Sequence, residues 1–276
     1  MKRPLTLFAL GSLPHLKGAN PHHRMRRFLL IDNSNSFTKF AVSCGEKIGK
    51  VQRIATKELS LRRARELLKK MKFDAAVVCS VVPRKATVIE KALGKRAFER
   101  VSDQSPLGLN IDYPKPASIG ADRLANACAV AAHYRTPAVV VDFGTAVSFD
   151  IINTQGHYIG GVIAPGLEAM TDYLHQRTAL LPKLRLIEPP DAIGKSTTHA
   201  MLAGAVYGYR GLVREILRQI HKSLGVRKPP LVIATGGYAE LISVGLPEIS
   251  KVHPTLTLEG LRLIAMRKFH QDGGHI

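Results

Sequence analysis

The sequence predicts an α/β protein built from two similar halves that face each other across a cleft. Three observations carry that prediction. Apolar strand runs alternate with amphipathic helical stretches from Met25 onward. FLLIDNSNSFTKFAV (28–42) and AVVVDFGTAVSFDII (138–152) share one plan: apolar strand, terminal aspartate, short polar turn, returning strand. The two copies lie about 110 residues apart, roughly one domain length. Two β-β-β-α-β-α units facing each other place Asp32 and Asp142 on one cleft. That arrangement explains why an acid ends an apolar strand, since in a closed core its desolvation would be costly.

Each element follows from local pattern. RRFLLID is a strand ending at Asp32, SFTKFAVS returns beside it, and KVQRIATKEL is expected as a third strand. Ser60 caps LRRARELLKKM, where Leu61, Ala64, Leu68 and Met71 share one helical face. AAVVCSVVP is a buried strand stopped by Pro83, with a helix following to about Leu93. ADRLANACAVAAHY is a helix whose inner face is mostly Ala and Cys, which lets a neighbouring element approach closely. The pattern then restarts with AVVVDFGTAVSFDII and GHYIGGVIAPG, followed by helices near Ala169–Leu180 and Thr198–Leu224. PPLVIATGG is another buried strand turning on glycines, and LTLEGLRLIAMRKF is the closing helix.

Composition narrows the function classes. A hydrophobic content of 45% over 276 residues is ample for packed cores, and no apolar run approaches the ~20 residues of a membrane span. Cys44, Cys79 and Cys128 are few, odd in number and widely spaced, so neither a disulfide framework nor a zinc site is expected, and a reducing cytoplasm fits. The formal net charge of +19 attracts anions in general, but the basic residues are spread over several helices. With no RNA-binding aromatic motif and no zinc-finger spacing, a nucleic-acid site is not expected. Residues 1–24 have a basic start and an apolar stretch broken by Pro14 and His15, and read as a disordered extension or a misassigned start rather than a signal peptide. The folded halves are expected over 25–137 and 138–270, with 271–276 a tail.

The chemistry concentrates on the two turns and one helix start. Small-residue turns present backbone N–H groups to phosphate, and Ser34, Ser36, Thr38 and Thr145 add hydroxyls. Lys39 supplies a cation if its side chain faces the cleft, and Asp32 and Asp142 could hold Mg²⁺ bridging phosphates. IGKST (193–197) lacks the upstream glycine of a phosphate-binding P-loop and reads as a helix start. In IGADRLANA, Asp122 follows Gly120 at a helix start, where the helix dipole favours its carboxylate, and is the best candidate general base. Arg123 beside it could clamp a substrate carboxylate.

DNSNSFTK, CSVVP, IDYPKPASIGADRLANA, VVVDFGTAVSFD, GGVIAPGL, RTALLPKL, IGKSTTHAMLAGAVYGYRG, IATGG and LTLEGLRLI stand in the order seen in type III pantothenate kinases. The resemblance covers about residues 27–268 and rests on the combination of GADR, DFGTA, APG and TLEGL. It implies the duplicated ribonuclease-H-like domains of the acetate/sugar kinase–Hsp70–actin superfamily, with the active site in the cleft between them. It implies ATP-dependent phosphorylation of pantothenate to 4'-phosphopantothenate, the first step of coenzyme A biosynthesis, with ATP and Mg²⁺. The implied ATP phosphate loop is Asp32, Asn33, Ser34, Asn35, Ser36, Phe37, Thr38 and Lys39, with Thr145 as a further contact. The implied pantothenate site is Tyr113, Gly120, Ala121, Asp122, Arg123 and Thr197, with Asp122 as base. Asp142 is implied as the ligand of a monovalent cation, K⁺ or NH₄⁺, and the enzyme as a homodimer whose substrate site is completed near the interface.

The phosphate loop departs from the family's approximate D-x-G-N-T, reading Asp32-Asn33-Ser34-Asn35-Ser36. Ser34 for glycine puts a side chain where backbone meets phosphate and raises the prospect of a strained φ, so weaker ATP binding is expected. Two other functions fit the same fold: a non-catalytic transcriptional accessory factor, and a phosphotransferase for another small molecule. A placed base argues against the first, and the IDYPKPASIGADR segment against the second.

Overall fold

The computed structural model describes residues 25–270. The readings of 1–24 as an extension and of 271–276 as a tail lie outside the described residues. The first half runs β1 (Arg27–Asn33), β2 (Phe37–Cys44), β3 (Lys47–Ile48), β4 (Gln52–Ala55), α1 (Leu61–Lys69), β5 (Ala75–Ser80), α2 (Pro83–Leu93), β6 (Phe98–Arg100) and α3 (Ala121–His133). The second runs β7 (Ala138–Phe143), β8 (Ala146–Ile152), β9 (Tyr158–Pro165), α4 (Leu167–Arg177), α5 (Thr197–Leu224), β10 (Leu231–Thr235), α6 (Ala239–Ser243), β11 (Lys251–Val252) and α7 (Leu256–His270).

The repeat read from the sequence is a repeat of topology. In the first sheet the order is β3-β2-β1-β5-β6, with β4 also on β2; in the second it is β11-β10-β7-β8-β9. β1 pairs antiparallel with β2 and parallel with β5, just as β7 pairs antiparallel with β8 and parallel with β10. Asp32 therefore sits opposite Lys39, and Asp142 opposite Ser148, at matching ends of the two hairpins.

Three apolar clusters form the core, and one of them joins the halves. That one lies between the sheets and joins Leu30 and Val77 of the first to Val140 and Ile233 of the second through α3 and α7. The Ala-rich face of α3 does admit a close neighbour: α7, whose Leu261, Ile264 and Ala265 are fully buried. α1 and α2 cover the outer face of the first sheet, and α5 and α6 that of the second. α7, which follows the second sheet in the sequence, packs on β1 and β5 of the first.

Local expectations were met with small differences. Ser60 caps α1 by accepting a hydrogen bond from Arg63 N at 3.2 Å. Pro83 does more than stop β5: it opens α2, where a missing N–H costs nothing. The third strand is shorter than KVQRIATKEL, because after β4 residues Thr56–Glu58 form a 3₁₀ turn. There the Thr56 hydroxyl donates to the Ser34 carbonyl at 2.7 Å and its N–H to Ser36 O at 3.0 Å, drawing the chain toward the first turn. β6 and β11, of three and two residues, were too short to show a pattern.

Candidate active site

The first turn is fixed from below. Asn33 and Thr38 are 1% and 0% exposed, and Asn33 Nδ2 donates to Thr38 Oγ1 at 2.7 Å. Thr38 Oγ1 also bonds Thr56 Oγ1, and Ser80 Oγ donates to Asn33 Oδ1 at 2.7 Å. These two side chains support the turn rather than line the cleft, so Thr38 does not present the free hydroxyl expected of it. Ser34, Asn35 and Ser36 form the accessible part. Phe37 is half-buried beneath the Arg53 guanidinium, 3.3 Å from its ring centroid.

Asp32 is almost fully buried, and both its oxygens are engaged. Lys39 Nζ lies 3.1 Å from Oδ2, so the lysine does face the cleft, and Ser34 Oγ donates to Oδ1 at 2.8 Å. No non-glycine residue described has a positive φ, so the strain anticipated at Ser34 is absent. The serine instead turns its hydroxyl inward, onto the aspartate.

The second turn faces the first. Ser36 Oγ and Thr145 Oγ1, from the two halves, are 2.9 Å apart. Asp142 Oδ2 accepts from Asn126 Nδ2 of α3 at 3.1 Å, and the Thr257 hydroxyl of α7 donates to Asn126 Oδ1 at 2.9 Å, which fixes which way the amide points. Burial first, and then the charge of Asp122, push Asp142 up to about 7; the Asn126 hydrogen bond acts in the opposite direction. Gly236 leaves Oδ1 open: a Cβ there would stand 2.6 Å from that oxygen.

Asp122 completes the group. It lies in the first turn of α3, with Oδ1 accepting from Arg123 N at 2.8 Å, and a Cβ on Gly120 would come within 2.6 Å of that oxygen. Glycine is required here for the carboxylate to fold back onto the helix start. Its carboxyl is held above the ordinary aspartate range, chiefly by burial and also by the nearby Asp32 charge. The helix dipole favours the carboxylate, but desolvation and a like charge act against it and the net direction is upward.

Arg123 Nε donates to Asp150 Oδ1 at 2.7 Å, and Tyr158 OH donates to the same oxygen at 3.0 Å. Neither Asp150 nor Tyr158 stood out as a functional residue in the sequence. Asp150 lies inside the repeated stretch at SFDII, and an acid in an apolar strand was its available signal. Tyr113 is exposed and sets its ring edge-on against Tyr158, centroids 6.4 Å apart. Ala121 is buried beside Gly120 at the helix start. Thr197, the first residue of α5, is exposed, and no hydrogen bond ties it to this group among the described residues.

Among the described residues no three His, Cys, Asp or Glu side chains are gathered to hold a metal ion, and no helix is long and apolar enough to cross a membrane. Cys44, Cys79 and Cys128 are free thiols.

Comparison with known proteins agrees with this geometry. The model of the type III pantothenate kinase family matches residues 28–219. A type III pantothenate kinase from Akkermansia muciniphila is 54% identical over 239 residues, spanning 86% of this chain and 98% of that protein. Among solved structures, a Baf family transcriptional activator from Campylobacter jejuni superposes with a TM-score of 0.53 at 19% identity, over 87% of this chain and 98% of that one. Acetate kinase from Entamoeba histolytica superposes at 0.50 with 10% identity, over 88% and 100%. At such identities the structural likenesses speak for the fold alone. The family match and the 54% identity go further: the chain belongs to the type III pantothenate kinase family.

Proposed function

We propose that the facing turns and the start of α3 form the phosphoryl-transfer site of this kinase, with Asp122 as general base. Family membership makes the chain a pantothenate kinase, an enzyme of coenzyme A biosynthesis. The observation that carries the assignment of roles is the position of Asp122. It is a carboxylate with a raised pKa, fixed at a helix start beside Arg123 and facing two phosphate-binding turns.

The acceptor hydroxyl of pantothenate gives its proton to Asp122 as its oxygen attacks the γ-phosphorus of ATP. The new O–P bond forms as the bond to the β-phosphate oxygen breaks, and ADP leaves. A carboxylate with a raised pKa is the stronger proton acceptor. Ser34, Asn35 and Ser36, with Thr145 from the other turn, donate to the phosphates, and Lys39 offsets their charge from its place on Asp32. Asn33, Phe37 and Thr38 hold that loop in shape. Mg²⁺ bound with the nucleotide would supply charge neutralisation on the transferring phosphoryl group. Asp142 fits a monovalent cation, K⁺ or NH₄⁺: its Oδ1 is an open, hard oxygen donor, and a cation there would relieve the crowding of acids that raises its pKa. Arg123, Tyr113 and the Gly120–Arg123 backbone hold pantothenate.

Thr197 fits this scheme if a second copy of the chain brings it to the site. Exposed apolar side chains on α4, β9 and α5, among them Met170, Tyr173, Leu174, Ile163 and Tyr207, support a homodimer that buries this face. The free thiols fit a cytoplasmic enzyme. The basic surface is read as solvated, without a nucleic-acid partner. The folded halves correspond to 25–137 and 138–270, with α7 lent to the first sheet.

Purified protein with ATP, Mg²⁺ and pantothenate, assayed in K⁺, NH₄⁺ and Na⁺ buffers, tests the reading. Phosphopantothenate should form in the first two, with turnover in Na⁺ alone lower by about tenfold or more. Equal rates in all three would remove the cation from the scheme, and no product in any would remove the site assignment.

A further inference from the structure

The GGVIAPG stretch and the acid of SFDII have no part in the roles above, yet they meet at Arg123. The Arg123–Asp150 pair is not built like a purely structural one. Asp150 is fully buried and Arg123 largely so, and at such depth a guanidinium and a carboxylate normally engage side by side through two hydrogen bonds. Here only Nε reaches the carboxylate, at 2.7 Å, and Tyr158 OH takes the same oxygen at 3.0 Å. Nη2 of Arg123 and Oδ2 of Asp150 are both buried without a hydrogen-bond partner. The guanidinium is therefore gripped at its inner nitrogen with an outer donor left over.

β9 determines where that donor lies. A Cβ on Gly161 would overlap Arg123 Nη2 and the Phe149 carbonyl, so the absence of a side chain there makes the slot in which Nη2 rests. Gly160, with φ of +130°, lies against the ring of Tyr113, 3.6 Å from where its Cβ would be. Tyr113 in turn belongs to a segment tied to β9 by Asp112 N to Tyr158 O at 2.8 Å and Tyr158 N to Asn110 O at 2.9 Å. Tyr113 and Arg123, which come from different parts of the chain, are thus set against the same four residues, Tyr158–Gly161.

We propose that Asp150, with Tyr158, is a positioning residue for the acceptor: it grips Arg123 by Nε while β9 seats Nη2, so that Nη1, the nitrogen left outside the slot, meets the carboxylate of pantothenate. The proposal rests on the reading of Arg123 as the group that binds that carboxylate. It makes Asp150 a determinant of acceptor specificity without contact to the acceptor, because a guanidinium held in one orientation binds an anion well and a neutral group poorly.

The test compares pantothenate with its alcohol analogue, in which CH₂OH replaces the carboxylate, on Asp150→Asn, Tyr158→Phe and Arg123→Lys. Asp150→Asn keeps shape but loosens the grip on Nε. Its pantothenate KM should rise about tenfold, with kcat and ATP KM within about twofold, and its preference for pantothenate over the alcohol should fall by the same factor. Tyr158→Phe should move the same quantities by about threefold, and it decides the matter if Asp150→Asn does not fold. Unchanged acceptor preference in a folded variant overturns the proposal, as does a parallel rise in both KM values with a lowered melting temperature, the mark of a merely structural pair. Arg123→Lys separates the two levels. If the preference survives there, the reading of Arg123 fails and the proposal with it. If it is lost in Arg123→Lys but kept in Asp150→Asn and Tyr158→Phe, only the support role is overturned.

Discussion

The two turns share a backbone plan but not an electrostatic one. Asp32 has a lysine on one oxygen and a serine hydroxyl on the other, so its charge is compensated from within its own hairpin. Asp142 has one neutral amide, borrowed from α3 and held in place by α7, and its second oxygen is open. Burial, and then the charge of Asp122, push Asp142 up to about 7. Duplication supplied two equivalent acids, and their neighbours paired one with a lysine and a hydroxyl and left the other with a single neutral amide. The side chains that arrive from outside each hairpin, rather than the hairpins themselves, divide the labour.

The largest expected effect breaks the site at the acid between the turns. Asp122→Asn keeps shape and most hydrogen bonding but removes the proton acceptor. We expect kcat to fall by about 10²–10⁴ with a modest change in pantothenate KM. Turnover near wild type would leave both turns as binding elements with no base between them.

A second experiment sharpens the contrast through stability. A carboxyl whose folded pKa lies above its unfolded value holds its proton longer in the folded state. Stability is therefore lost as pH rises, from about 4, where the unfolded chain ionises, to about 7, where Asp142 does. In Na⁺ buffer the melting temperature should drop by roughly 3–8 °C between pH 5 and 8. K⁺ should restore part of it by binding the folded state, and Asp142→Asn should abolish the response to K⁺ and flatten the pH slope to the part left by Asp150, pushed up to about 6, and Asp122. Calorimetry that finds the same K⁺ response in Asp142→Asn would place the cation elsewhere.

The smallest effect concerns Ser34. The weaker ATP binding expected from its sequence position assumed a backbone held off the phosphates. With the hydroxyl turned onto Asp32 and no positive φ at the residue, Ser34→Gly should instead loosen Asp32 and raise the ATP KM about two- to tenfold, leaving pantothenate KM alone. A lowered ATP KM would restore the original expectation and show that the serine obstructs the loop.

The repeat, the order of strands and helices, the two Asp-ended turns and the helix start at Asp122 were legible because each rests on local pattern: alternation, caps, and glycines where the chain turns. Those patterns act between residues a few positions apart, and a sequence displays them directly. What only the tertiary structure decided involves partners distant in the chain. Thr257 lies 131 residues from the amide it orients, Asp150 lies 27 residues from the arginine it grips, and Ser36 lies 109 from Thr145 across the cleft. Thr38 read as a phosphate ligand because it carries a hydroxyl in the right loop, and Asn33 because the family resemblance implied it. They became supports because strand alternation and the arrival of Thr56 and Ser80 turned them inward. The same holds for Asp122, where a helix start argues for a lowered pKa and burial beside another acid raises it. Desolvation and the approach of remote charges depend on the whole packed chain, so sequence gave the acids their places and the fold alone gave them their different strengths.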